Sequence, residues 1–148
     1  MISDTIQHLS DTITNFLNAN PDSIDWETKP APDKWSKKEI IGHLIDSAQI
    51  NLQRFVRCTY EENFKLIYEQ DEWVAAEHYQ DADIKEILDL WILLNRQIMR
   101  VLSNYPPDRL QAQCDSDKKS VQLHTVEWLA ADYVRHMSHH LSVVGSEQ

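Results

Sequence analysis

The sequence predicts an all-α fold, a four-helix bundle with short inserted elements between its second and third helices. Three observations carry this. Only two Gly and five Pro occur in 148 residues, which disfavours turn-rich β structure. Apolar residues recur three and four apart in four long stretches, and capping residues or proline bound those stretches. The length suits one domain, residues 1–148, able to bury a core of its own.

The first helix is expected from about Ser3, its N-cap, to about Asn18. Ile6, Leu9, Ile13, Phe16 and Leu17 form its stripe, and Asn20-Pro21 stops it. His8 lies beside that stripe, as a margin or surface residue. Residues 20–35, with Pro21, Pro30 and Pro32, read as a connection that crosses the end of the bundle without regular structure. The second helix opens on the capping box Ser36-Lys37-Lys38-Glu39, with Trp35 and Ile40 at staple spacing, and reaches about Tyr60. Ile41, Leu44, Ile45, Ala48, Leu52 and Phe55 make its main buried face, and Gly42, Asp46, Gln49 and Gln53 a polar arc. Between the two, His43 shares a strip with Ile40, Ser47, Ile50 and Arg54, a second surface able to face another helix.

Residues 61–82 show no clean period and are expected to hold a short helix or two within a long connection; His78 there reads as a solvent or packing residue. The third helix starts near Asp83, in a capping-box variant. It carries Ile84, Ile87, Leu88, Trp91, Leu94, Ile98 and Leu102 as its stripe, and ends near Ser103, before Pro106-Pro107. The segment from 104 to about 120 reads as a charged, mobile loop in which Lys118 and Lys119 are solvated. The last helix is capped by Thr125, with Ser120 as an alternative start, and runs to Gly145; His124 is read as a loop residue.

A formal net charge of −10 disfavours approach to phosphate backbones and anionic membranes, so neither nucleic acid nor membrane is expected as a partner. The N-terminus has no basic start or long apolar run, and no stretch is long enough to span a bilayer, which makes the cytoplasm the expected compartment. Cys58 and Cys114 stand outside any CxxC pattern and read as reduced thiols.

The chemistry concentrates in the last helix. Val126, Leu129, Ala130, Tyr133, Met137, Leu141 and Val144 define its buried face, and His136 and His140 lie on that same face. Imidazoles four apart on a helix lean the same way, so two ring nitrogens can converge on one ion. A catalytic site of this type wants three protein ligands and an open position, so a third must come from another helix. His43 is the leading candidate, with a margin histidine as the alternative. Asp132, one turn before His136, is either an imidazole acceptor or an exposed or capping carboxylate. Arg54 is either an anion contact or half of a surface ion pair, and Tyr133 is a core residue whose hydroxyl needs a partner.

Two motifs resemble a known family, the DinB-like superfamily of small metal-binding four-helix proteins that includes the YfiT-type proteins. One is Lys34-Trp35-Ser36-Lys37-Lys38-Glu39-Ile40-Ile41-Gly42-His43-Leu44, a Trp before a capped helix carrying His-Leu. The other is Tyr133-Val134-Arg135-His136-Met137-Ser138-His139-His140, an HxxHH cluster. The resemblance implies that His43, His136 and His140 bind a divalent metal (Zn, Ni, Fe or Mn), that His139 does not, and that the protein forms a homodimer through helix faces. It further implies metal-activated water or a low-molecular-weight thiol as nucleophile, with thiol S-transfer to small electrophiles as the favoured reaction. The other reading is a non-enzymatic stress-related or interaction module with a structural metal or none. Many members follow the paired His with Arg-Gly-Gln, where this chain has Leu141-Ser142-Val143. That departure leaves the His set intact and bears on substrate contacts made by the segment.

Overall fold

Strong local signals and long amphipathic stretches become four long helices in the computed structural model, which describes residues 1–146. They are α1 (Ile2–Asn18), α2 (Lys37–Arg57), α4 (Ile84–Ser103) and α5 (Val126–Val144), with the short α3 (Gln70–Glu77) inserted after α2. Three short strands accompany them, β1 (Phe64–Lys65), β2 (Gln113–Asp115) and β3 (Leu123–Thr125). The helices α1 and α2 both pack against α4 and α5, so the first two long helices occupy opposite corners of the bundle. The connection between them must therefore cross its end. Along it Trp26 is buried and its carbonyl accepts from the Lys38 N–H at 3.1 Å.

The caps form where the sequence places them, with one exception. Ser36 Oγ accepts from the Glu39 N–H at 3.1 Å while Glu39 Oε1 accepts from the Ser36 N–H at 3.0 Å, each bond worth about 1 kcal/mol. Asp83 Oδ1 accepts from the Lys85 N–H and Thr125 Oγ1 from the Trp128 N–H. Ser3 is not a cap: α1 begins one residue before it, with Met1 at the N-cap. The helix α2 ends at Arg57, three residues short of Tyr60. One core runs through the bundle, with Leu9, Ile41, Phe55, Trp91, Ile98 and Met137 all buried and Phe16 edge-on to Trp91 at 5.8 Å.

Two expectations are overturned. The first half of the polar arc of α2 does not face solvent, because Gly42 and Asp46 are buried under Tyr79, whose hydroxyl donates to Asp46 Oδ1 at 2.6 Å, while Gln49 is half-buried and Gln53 exposed. Gly42 is there for space: a Cβ would stand 2.1 Å from the Tyr79 ring. The segment after α4 is not a plain charged loop either. Its strand β2 pairs in parallel with β1 and antiparallel with β3, and Cys114 and Asp115 are buried. Asp115 Oδ1 accepts from the N–H groups of Asp117 and Gln122, bonds that hold its carboxyl below the ordinary carboxylate range and close the β2–β3 turn. Lys118 stays at the surface and pairs with Glu69. Strands of two or three residues carry no readable alternation, and so the sheet leaves no signal in the sequence.

Candidate metal centre

Helix α2 is buried along most of its length, including the whole strip Ile40, His43, Ser47, Ile50 and Arg54. That strip meets α5, and the packing brings His43 against His136 and His140. The rings of His43 lie 5.5 Å from His136 and 4.8 Å from His140, and those of His136 and His140 are 4.5 Å apart. One ring nitrogen from each of the three lies within 4.8 Å of the others. The Nε2 atoms of His136 and His140 stand 3.3 Å apart, close to the ~3.3–3.4 Å that two nitrogens bound at about 2.0–2.1 Å to one tetrahedral ion would show.

The burial of His43 makes the fit testable on this structure alone. Its Nδ1 is hydrogen-bonded to the Tyr68 hydroxyl at 2.8 Å, its ring lies between Trp35 (4.9 Å) and Tyr68 (5.7 Å), and its Nε2 is buried with no partner. A buried polar nitrogen without a partner is costly, and here it faces two further imidazole nitrogens. A cation at their meeting point would satisfy it. Burial, reinforced by His140 and His136, pushes His43 down to about 3, and burial with His136 and His139 pushes His140 down to about 4. His136 moves the same way through burial, against the pull of Asp132. Near neutral pH the rings therefore keep their lone pairs, the form a metal ligand needs. His43 is sealed, His140 partly open and His136 exposed, so the cluster opens to solvent on the α5 side.

Asp132 takes the exposed role: it pairs with Arg135 and makes no hydrogen bond to an imidazole. Arg54 is not half of a surface ion pair. It is buried, donates from Nη2 to the Leu66 carbonyl at 2.6 Å, and has no carboxylate within 4 Å among the described residues. Tyr133 is buried and its hydroxyl finds Asn95 Oδ1 at 2.6 Å. These three residues line a cavity of about 170 Å³ together with Ser47, Asn51, Tyr68, Ser116, Leu129 and His136.

The remaining histidines stand apart. His139 is exposed on the flank of His140; His124, expected in a loop, lies in β3 and stacks on Trp128 of α5; and His8 and His78 are exposed. Sequence reasoning missed Tyr68 and the stacking role of Trp35. Trp35 was visible as a staple residue, and its spacing from His43 is that of two helical turns. Tyr68 lies in the stretch without a period, where the path of β1 alone decides what it reaches.

A four-helix bundle that turns three imidazoles from two of its helices toward one point defines a class of small histidine-cluster proteins. The chain matches the family model described as the DinB superfamily over residues 4–144, and it belongs to that superfamily. Its sequence matches that of no curated protein. Among solved structures it is similar to YfiT from Bacillus subtilis, described as a probable metal-dependent hydrolase with an unusual four-helix bundle topology. The two share 21% identity over 97% of this chain and 83% of that one, with a TM-score of 0.83. It is also similar to the mycothiol-dependent maleylpyruvate isomerase, with 10% identity, 95% of this chain, 60% of that one and a TM-score of 0.72. At these identities the likeness is one of fold. No helix among the described residues is long and apolar enough to cross a membrane.

Proposed function

We propose that His43, His136 and His140 hold one divalent cation, zinc, nickel, iron or manganese, and that the protein is a metal-dependent enzyme acting on small molecules. Its favoured reaction is transfer of a low-molecular-weight thiol to a small electrophile, with activated water as the other nucleophile. The observation that carries this reading is the meeting of three neutral imidazoles around the partnerless Nε2 of His43. The description of YfiT as metal-dependent and of the isomerase as mycothiol-dependent supports it. The reading also takes the protein as cytoplasmic and homodimeric, without nucleic-acid or membrane partners.

A divalent ion bound there would supply a charge uncompensated by its neutral ligands, lowering the pKa of a coordinated water or thiol. The protein's own groups do the rest. Tyr68 holds the His43 ring at Nδ1, and Trp35 packs against that ring at 4.9 Å. The segment Met137-Ser138-His139 offers no Glu between the paired histidines, so the peptidase pattern with a helical general base is not used. The non-enzymatic alternative in its structural-metal form needs a closed coordination shell, and among the described residues no Cys, Asp or Glu joins the three histidines.

Metal analysis of the purified protein tests the site, with His43→Ala, His136→Ala and His140→Ala in parallel. One ion per chain, lost in each variant, is expected; protein that takes up no metal, or variants that keep it, would refute the reading. Turnover of electrophiles with a panel of thiols then separates the enzyme from a structural module.

A further inference from the structure

Arg54 carries a buried charge that no ion pair neutralises: the Asp132 carboxylate acts on it only from beyond 4 Å. It is 7% exposed, its Nη2 and Nη1 reach only the neutral oxygens of Leu66 (2.6 Å) and Asn51 (3.5 Å), and its Nε is sealed from solvent without a partner. The nearby thiols do not compensate, since burial raises both Cys58, to about 11, and Cys114. A guanidinium keeps its proton in such a place, so the charge persists and its desolvation is not offset by an ion pair.

The cavity beside it explains the arrangement. Ser47, Asn51 and Arg54 line it from successive turns of α2, while His136, Asp132, Tyr133 and Leu129 line it from α5. Its walls therefore hold the guanidinium and one histidine of the cluster, His136, and Ser47 and Arg54 are separated by about 10 Å of helix axis. The volume of about 170 Å³ has room for a short-chain organic acid.

We propose that this cleft is a carboxylate subsite: Arg54 takes the acid group of a small reactant, with the hydroxyls of Ser47 and Ser116 as further partners, and directs the molecule's other end toward the three histidines. The inference names a substrate class for the metal site proposed above and rests on that reading for its chemistry, though not for the binding itself. A guanidinium edge matches a planar carboxylate in shape as well as charge. One negative charge suits the cleft better than the two of a phosphate, because the Asp132 carboxylate also lines it.

Propionate and propionamide are isosteric probes for the subsite. Their binding to chelator-treated protein is read by NMR shift titration and by the change in melting temperature. The subsite predicts propionate at least tenfold tighter than propionamide, a preference lost in Arg54→Gln and partly kept in Arg54→Lys. Equal binding of the two probes, or Arg54→Gln binding propionate as the unaltered protein does, overturns it. Because Arg54 also holds the Leu66 carbonyl, Arg54→Gln could unfold the chain; the comparison of the two probes on unaltered protein then carries the test alone. Since these arms need no metal, their failure is distinct from failure of the metal site. A final arm adds Co²⁺ and compares 3-mercaptopropionate with propionate. A gain for the thiol acid that shrinks tenfold in Arg54→Gln assigns the carboxylate to the thiol reactant; a gain that is unchanged assigns it to the other.

Discussion

The Tyr68 hydroxyl lies 2.8 Å from Nδ1 of His43 and 3.3 Å from the carbonyl oxygen of the same residue. With its one proton given to that carbonyl, the phenol oxygen accepts from Nδ1–H, and the ring's free lone pair stands at Nε2, facing His136 and His140. One tyrosine thus selects the tautomer that a metal ligand requires.

Tyr68→Phe is expected to weaken metal binding by about 10–100-fold, as loss of an outer partner of a ligand histidine does. Competition against a coloured chelator measures this. Circular dichroism should show the fold retained, since the net loss of two hydrogen bonds is about 2 kcal/mol.

Removing the metal should lower the melting temperature. At a free metal concentration one hundred times Kd the bound ion contributes about 2.7 kcal/mol, or roughly 5–10 °C for a chain of this size. Scanning calorimetry with and without chelator reads the shift. His139→Ala should preserve it, because that ring is exposed and outside the cluster, whereas His136→Ala should abolish it.

Asp46 should make stability depend on pH. Burial raises its carboxyl to about 6, with the Glu77 charge adding to the rise and the Tyr79 hydrogen bond opposing it; Tyr68 and Tyr79 are the other titratable groups beside it. A folded value above the unfolded 3.8 means that the folded state holds the proton more tightly. Its contribution is fully present below about pH 4 and is lost as pH rises through about 6, on the order of 2–3 kcal/mol in all. Asp46→Asn keeps an acceptor for Tyr79 and removes the titration. The difference in unfolding free energy between the variant and the parent, followed by urea denaturation, should therefore change across pH 4–7; a constant difference would contradict the assignment.

Gly42→Ala tests the seat of Tyr79. Alanine would favour the helix by about 1 kcal/mol, but its Cβ would overlap the Tyr79 ring and push the phenol off Asp46. A net loss of about 1–3 kcal/mol in urea unfolding is expected. Pairing the change with Tyr79→Leu should recover part of it.

Much of the architecture was legible in local pattern. The apolar stripes placed four long helices, and the caps at Ser36, Asp83 and Thr125 placed three of their starts to within a residue. The α5 face carrying His136 and His140 followed from a 3.6-residue period, as did the strip on α2 that holds His43 and Arg54. What stayed hidden was what those strips touch. Gly42 and Asp46 look solvent-facing on a helical projection, because a projection cannot show that Tyr79 will cover them. Arg54 looks like a surface cation for the same reason, and Tyr68 gave no period at all.

Intrinsic to the chain, then, are its helices, their ends and the direction each imidazole leans from its own helix, because these depend on residues within a turn or two of each other. The packing of α2 against α5 decided the rest: the distance between His43 and the late histidine pair, the partner of Nδ1, and the burial of a lone guanidinium beside them. Those are properties of residues up to about a hundred positions apart, and they exist only once the core has paired the two helices in one register.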